Sequence, residues 1–252
     1  TGVRRRDIPC GLCRRVVDFS VDEFYHIYSR GVDKRIIFDD DNDRNRFIKL
    51  LFICNHSQPI VFRDLIRNTS LKDIFDFPAD KTLVDIGAYC LMLNHFHLLL
   101  HEKKDGGISA FMLKILTAYS SYYNKKHDRK GKLFDGNFQA KHLASDRYLE
   151  YVYAYIHLNP VKIIYSDWKE NGGILDTRKA KNFIENYHYS SYDDYVGIDR
   201  KEAKILNKVA FPGYFDQEDD FQKMLDSWLE FQREERRKIE LEKLEKEEYD
   251  FA

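Results

Sequence analysis

The chain has 252 residues, of which 43% are apolar, so it can bury a sizeable core in one main domain with appendages. Its 41 Lys and Arg nearly balance its 42 Asp and Glu, and no apolar run approaches the about 20 residues that cross a bilayer. Four cysteines do not form a disulfide framework at this length, and we expect no signal peptide. These features argue against a membrane or disulfide-stabilised secreted protein and favour a cytoplasmic one.

The charges are unevenly distributed along the chain. Residues 103–147 hold ten Lys and Arg against four Asp and Glu, whereas residues 217–252 hold seven against thirteen. The basic segment also contains aromatic residues, which suits single-stranded nucleic acid because phosphates are neutralised and bases stack. The simpler alternative is an ordinary solvated helix end and loop.

The first predicted elements are a strand at 23–31 and a helix at about 43–56. Residues 57–81 lack clean periodicity and are interpreted as an insertion. Two strands then follow at 84–93 and 95–101, joined by a tight connection.

A long helix is predicted over 107–126, with Phe111, Ile115, Ala118 and Tyr122 as its buried stripe. A last strand at 138–143 leads into another helix. The resulting β-α-β-β-α-β order predicts an α+β fold, a ferredoxin-like split βαβ antiparallel sheet with helices on one face.

Composition divides the chain into three parts. We predict a basic N-terminal arm at 1–21, a main domain at 22–196 and a helical, acidic C-terminal extension at 197–252. Within the extension, a helix over 218–249 has Phe221, Leu225 and Trp228 as its apolar stripe.

Two histidines occupy alternate positions of the third predicted strand. Because side chains on a strand alternate between faces, His95 and His97 point the same way and Phe96 points into the opposite layer. Two imidazoles on one face, one pleat apart, can converge on a single metal ion. The alternative is a pair of unrelated histidines on a solvated sheet face.

A tyrosine-rich helix follows the last strand. Ser145 or Asp146 is a candidate N-cap, and Pro160 is expected to stop the helix. Helical periodicity aligns four side chains along one stripe: Tyr148, Tyr151, Tyr155 and Asn159. Tyr155 and Asn159, one turn apart, therefore present a phenol and an amide oxygen side by side. The alternative is that the stripe only packs against the core, and Tyr151 is the fallback reactive phenol if the register differs.

Taken together, these residues resemble the single-tyrosine HUH endonucleases, in particular the REP-associated tyrosine transposases related to small insertion-sequence transposases. The resemblance covers roughly residues 22–196. It is carried by four ordered segments, FYHIYSRG at 24–31, YCLMLNHFH at 89–97, YIHLNPV at 155–161 and YHYSSY at 187–192.

The resemblance implies that His95 and His97 are metal ligands, Asn159 is the third ligand and Tyr155 is the nucleophile. It implies Mg²⁺ or Mn²⁺, although two imidazoles and an amide oxygen would also suit zinc or iron. The implied activity is a metal-dependent single-strand DNA endonuclease and strand transferase that forms a 5′-phosphotyrosine intermediate at hairpin-forming repeats. The implied partner is single-stranded or hairpin DNA, bound by a monomer or a homodimer.

We also predict a set of DNA-binding residues, mostly from the basic segments. They are Arg14, Arg15, Arg30, Lys125, Lys126, Arg129, Lys130, Lys132, Phe138 and Lys141. Two positions depart from the family pattern. Leu93 stands where the family usually has a proline before the histidine motif. Asn137 stands where the family often has a basic residue, which leaves one expected DNA contact open.

Two other functions remain open on the sequence. The first is a nucleic-acid-binding protein that keeps the fold without turnover, and the second is a His-x-His phosphoesterase with water as nucleophile. Only the transferase needs the tyrosine chemically, so the tyrosine separates the three hypotheses.

Overall fold

The computed structural model describes residues 18–57, 74–78, 81–165, 174, 176–215, 219–231 and 233. Most of the predicted arm, including Arg14 and Arg15, lies outside these ranges. So do most of the predicted insertion and the distal part of the C-terminal extension.

The centre of the fold is a four-stranded antiparallel sheet. Its strands are β1 (Phe24–Arg30), β2 (Asp85–Leu91), β3 (His95–His101) and β4 (Gln139–His142), in the order β2-β3-β1-β4. Helix α1 (Asp41–Cys54) connects β1 to β2, and α2 (Gly107–Lys126) connects β3 to β4. This order confirms the predicted ferredoxin-like α+β fold.

Helices α1 and α2 pack together on one face of the sheet. Ile27 of β1 and Phe96 of β3 are fully buried there, in one apolar cluster with Phe47 of α1. The α2 bounds match the prediction, but its buried row continues through Tyr119, whereas Ala118 and Tyr122 are only partly buried. The difference follows from helical geometry, since Ile115 and Tyr119 are four residues apart and share a face.

The opposite face of the sheet is covered by the tyrosine-rich helix α3 (Asp146–Leu158), which contacts β2 and β3. Ser145 is its N-cap, and the Oγ of Ser145 accepts a hydrogen bond of 3.3 Å from the backbone N–H of Tyr148. Helix α3 ends at Leu158, two residues before Pro160, as predicted. Proline lacks only an N–H, which is tolerated at a helix start, so a short helix α4 (Val161–Ile164) follows at once.

The C-terminal part completes this second layer with helices α5 (Thr177–Glu185), α6 (Tyr192–Tyr195) and α7 at 219–231. Phe221 and Leu225 of α7 are buried in the cluster that contains α3, and Trp228 packs against Tyr151 with ring centroids 5.1 Å apart. The predicted apolar stripe of this helix is therefore confirmed. Within the described ranges, no helix is both long and apolar enough to cross a membrane.

His157 links α3 to β2 through hydrogen bonds. It is fully buried, its Nδ1 donates to the Tyr153 carbonyl (2.8 Å), and its Nε2 lies 2.8 Å from the hydroxyl of Ser191. The same hydroxyl accepts a hydrogen bond from the backbone N–H of Tyr89 in β2. Burial lowers the pKa of His157 from 6.5 to about 4, so the ring is neutral in the folded protein at neutral pH.

The buried His157 ring should make stability depend on pH. The unfolded chain binds a proton near pH 6.5 and the folded chain only near pH 4, so acid favours unfolding in that window. We expect the contribution to be complete above pH 6.5 and to fall by about 3 kcal/mol as the pH approaches 4. Urea unfolding of the wild type and His157→Gln at several pH values measures it, with His188→Gln as the exposed-histidine control. Equal pH slopes for the wild type and His157→Gln would contradict the prediction.

Candidate metal and tyrosine site

The predicted histidine pair lies on the sheet face that α3 covers. In the strand register His97 pairs with Tyr28 of β1 and Cys90 of β2, and His95 pairs with Arg30. The His95 and His97 rings are perpendicular, with centroids 5.0 Å apart. His97 is buried, whereas His95 is half-buried at the edge of the layer.

A third histidine, which the sequence analysis did not single out, joins this pair. His26 lies on the same face of β1, and its Nε2 is 2.9 Å from the Nδ1 of His97. The sequence does contain one signal, since His26, Tyr28 and Arg30 alternate along the first strand. The contact itself follows from the β1–β3 register, which the sequence does not specify.

Tyr155 of α3 lies directly over these imidazoles. Its ring centroid is 5.4 Å from that of His97 and 5.5 Å from that of His26, with both contacts edge-on. Tyr151 follows at 6.0 Å from Tyr155 along the helix, and Tyr148 at 6.1 Å from Tyr151, as helical periodicity predicts. The tyrosine and the histidines belong to the same chain, so this arrangement needs no residue from a second copy.

Asn159 lies one turn after Tyr155 and is buried. Its Nδ2 donates to the backbone carbonyl of Tyr155 (2.8 Å), and its Oδ1 accepts a hydrogen bond of 2.7 Å from the Nζ of Lys162. The Lys162 ammonium also lies 5.2 Å from the centroid of the Tyr155 ring. Lys162 was not among the predicted site residues, although its position three residues after Asn159 was a usable signal.

Burial sets the protonation states of this site. Desolvation, helped by the charges of Lys162 and Arg30, lowers the pKa of His95 to about 4, so its imidazole is neutral at neutral pH. Burial raises the pKa of the Tyr155 phenol, although hydrogen bonding by the Asn159 side chain acts in the opposite direction. The site therefore combines a neutral imidazole, the form that binds metals, with a phenol that needs nearby positive charge to react.

A separate group of metal-ligand types lies on the far side of the sheet. Asp39, Asp43 and His127 have ligand atoms within 4.8 Å of one another, the one such trio of His, Cys, Asp or Glu in the described part of the chain. Asp43, however, already accepts hydrogen bonds from Lys126 (2.7 Å) and from the hydroxyl of Tyr122 (2.9 Å). The trio is therefore explained by internal ion pairing between α1 and α2.

The predicted DNA contacts divide between the two faces. Arg30 and Lys141 lie on the histidine face, since Lys141 pairs with His26 in the sheet register. Three other predicted lysines are exposed at and after the end of α2: Lys125, Lys130 and Lys132.

Three predicted contacts have partners within the protein. Lys126 forms ion pairs with Asp40 and Asp43. The guanidinium of Arg129 lies over the Tyr123 ring, and Phe138 stacks on Phe19, with ring centroids 6.1 Å apart. Phe138 belongs to the apolar cluster of α1 and α2, so it packs on the face opposite to the histidines.

Comparisons with known proteins found two similarities. Residues 44–159 match the model of a family described as IS200-like transposases. A solved structure of a REP-associated tyrosine transposase bound to a REP hairpin is similar to the chain at 11% identity and a TM-score of 0.44. That similarity covers 76% of this chain and 90% of the other. No curated protein matches the sequence.

Proposed function

We propose that this protein cleaves and rejoins single-stranded DNA at hairpin-forming repeats, with Tyr155 as the nucleophile. The observation that carries the proposal is the placement of the Tyr155 ring over His97, with centroids 5.4 Å apart, although the two residues belong to separate elements. A phenol packed only for stability would not need two imidazoles, an amide and an ammonium around it. Imidazoles and an amide oxygen can bind a metal ion, and an ammonium can stabilise negative charge on a phosphate.

The histidines fit a divalent metal through their outer hydrogen bonds. His95 Nδ1 lies 2.7 Å from the amide oxygen of Asn94, and His97 Nδ1 faces His26. Histidines that bind metals usually donate their other N–H to such partners, which leaves Nε2 of each ring to hold the ion. The Asn159 oxygen has two lone pairs, so it can accept a hydrogen bond from Lys162 and bind a metal ion at the same time. We propose His95, His97 and Asn159 as ligands of Mg²⁺ or Mn²⁺.

In the proposed reaction the Tyr155 oxygen attacks phosphorus, forms a phosphotyrosine bond to the 5′ end of the downstream strand and displaces the 3′ oxygen of the upstream strand. The phenol loses its proton and the departing 3′ oxygen gains one, so the step is balanced. A bound divalent ion would polarise the scissile phosphate. Lys162, beside both Asn159 and the Tyr155 ring, stabilises negative charge on the phenolate and the phosphate. Attack by another 3′-OH on the phosphotyrosine then releases Tyr155 and joins two strands without ATP.

The test uses hairpin-forming DNA from beside the protein's own gene, labelled at the 5′ or the 3′ end, incubated with Mn²⁺ and resolved on a denaturing gel. We expect the 3′ label to move with the protein and the 5′ label to leave as a free fragment. Cleavage without a protein-linked label would indicate a hydrolytic phosphoesterase. Binding without cleavage would indicate a protein that only binds nucleic acid. Either result would contradict the proposed function.

His26 should influence metal binding through its contact with His97. If His97 Nε2 holds the ion, its Nδ1–H donates to His26, and removing that acceptor frees the ring to rotate. We expect His26→Phe to weaken Mn²⁺ binding by about 10- to 100-fold, and His26→Gln, which keeps an acceptor, to restore part of it. Calorimetric titration of Mn²⁺ into the DNA-free protein provides the measurement. Equal Mn²⁺ affinity in His26→Phe and the wild type would assign His26 to packing alone.

A further inference from the structure

A cavity of about 380 Å³ opens beside the histidines, at the end of β1. It arises from an interruption in strand pairing. Tyr28 pairs with Gln139 and Gly31 bridges to Phe134, so residues 29–30 on one side face residues 135–138 on the other. The longer side therefore loops away from the sheet and leaves a space.

The lining of this cavity is polar and mixed in charge. Arg30 and Asp135 line it as a loose ion pair, 4.0 Å apart and each about half exposed, and the amides of Asn137 and Gln139 lie beside them. Tyr28 contributes an aromatic ring. The Arg30 guanidinium can donate hydrogen bonds, the Asp135 carboxylate can accept them, and the two amides can donate and accept. A planar group could stack on the aromatic ring beside them.

The cavity is continuous with the proposed metal site because His95 belongs to both. His95 lines the cavity, and its ring lies 5.0 Å from that of His97. A group in the cavity would therefore belong to a nucleotide next to the phosphate held by the histidines. Its volume falls within the range of about 300–1,000 Å³ that is typical of small-ligand sites.

We propose that this cavity binds and reads one unpaired nucleobase of the DNA strand, beside the scissile phosphate. The inference rests on the proposed function and adds a determinant of its sequence specificity. A phosphate is a poorer occupant because the Asp135 carboxylate would repel it, whereas that carboxylate accepts hydrogen bonds from base amino groups. Arginine, asparagine and glutamine side chains bind the edges of bases in pairs of hydrogen bonds, and unpaired bases expose those edges.

The test separates base reading from chemistry by using the Tyr155→Phe protein, which keeps the cavity. A DNA hairpin library with randomised single-stranded flanks is bound, and the retained strands are sequenced. We expect enrichment of a particular base at one flank position. Adding Asn137→Ala or Gln139→Ala should reduce that enrichment by about tenfold and leave the other positions unchanged. Asn45→Ala, an exposed amide on α1, is the matched control and should change nothing.

Three results would overturn the proposal: no enriched position with Tyr155→Phe, an unchanged enrichment profile in both amide variants, or a uniform loss of binding without a change in the profile. Circular dichroism of each variant distinguishes misfolding from lost contacts. The proposed function fails separately, since it is measured by the covalent adduct of the wild type. If the wild type forms the adduct but the amide variants leave the enrichment profile unchanged, only the base site is refuted. If the amide variants change the profile but the wild type forms no adduct, only the transferase is refuted.

Discussion

Tyr155→Phe is expected to bind hairpin DNA as tightly as the wild type but to form no covalent adduct, with strand cleavage reduced by at least about 10³-fold. Phenylalanine keeps the ring that packs edge-on against His97 and His26, so the layer between α3 and the sheet is preserved. Only the attacking oxygen is removed. The adduct is measured on a denaturing gel with 3′-labelled DNA, and binding by fluorescence anisotropy.

Tyr151→Phe is the matched control for that experiment. Tyr151 lies on the same helix and stripe, but its ring packs against Trp228, with centroids 5.1 Å apart, rather than against the histidines. We expect the Tyr151→Phe protein to retain the adduct at near wild-type yield. Loss of the adduct in Tyr151→Phe and its survival in Tyr155→Phe would show that the nucleophile was assigned one helical turn too late.

Local periodicity accounts for which of the candidate residues share a face of a strand or a helix. Strand alternation places His95 and His97 on one face, and a repeat of 3.6 residues aligns Tyr155 with Asn159. The bounds of α2 followed from the same kind of evidence. Each of these inferences uses only residues within one element, where the backbone geometry is known in advance.

The parts that were missed depend on pairing between distant elements. The contact between His26 and His97 joins residues 71 positions apart. The cavity exists only because two residues of the β1 segment face four residues of the segment that leads into β4, between the pairs Gly31–Phe134 and Tyr28–Gln139. The same limit affected Lys126, whose carboxylate partner Asp43 lies 83 positions away. Composition marked Lys126 as a basic residue of a DNA-binding segment, but it does not indicate which charges are neutralised inside the fold.

His97→Ala should abolish adduct formation for a different reason from Tyr155→Phe. Losing one of three proposed ligands leaves an incomplete site, so we expect Mn²⁺ affinity to fall by about 100-fold or more. His97 is buried between strands, and a cavity left by alanine also lowers stability, so His97→Gln provides a variant of closer volume. Mn²⁺ titration, thermal unfolding and the adduct assay are measured on both variants, with His142→Ala, an exposed strand histidine, as the control.

A folded His97→Gln protein that binds Mn²⁺ like the wild type and still forms the adduct would remove His97 from the ligand set. Loss of Mn²⁺ binding with an intact fold would instead assign the ion to this histidine face.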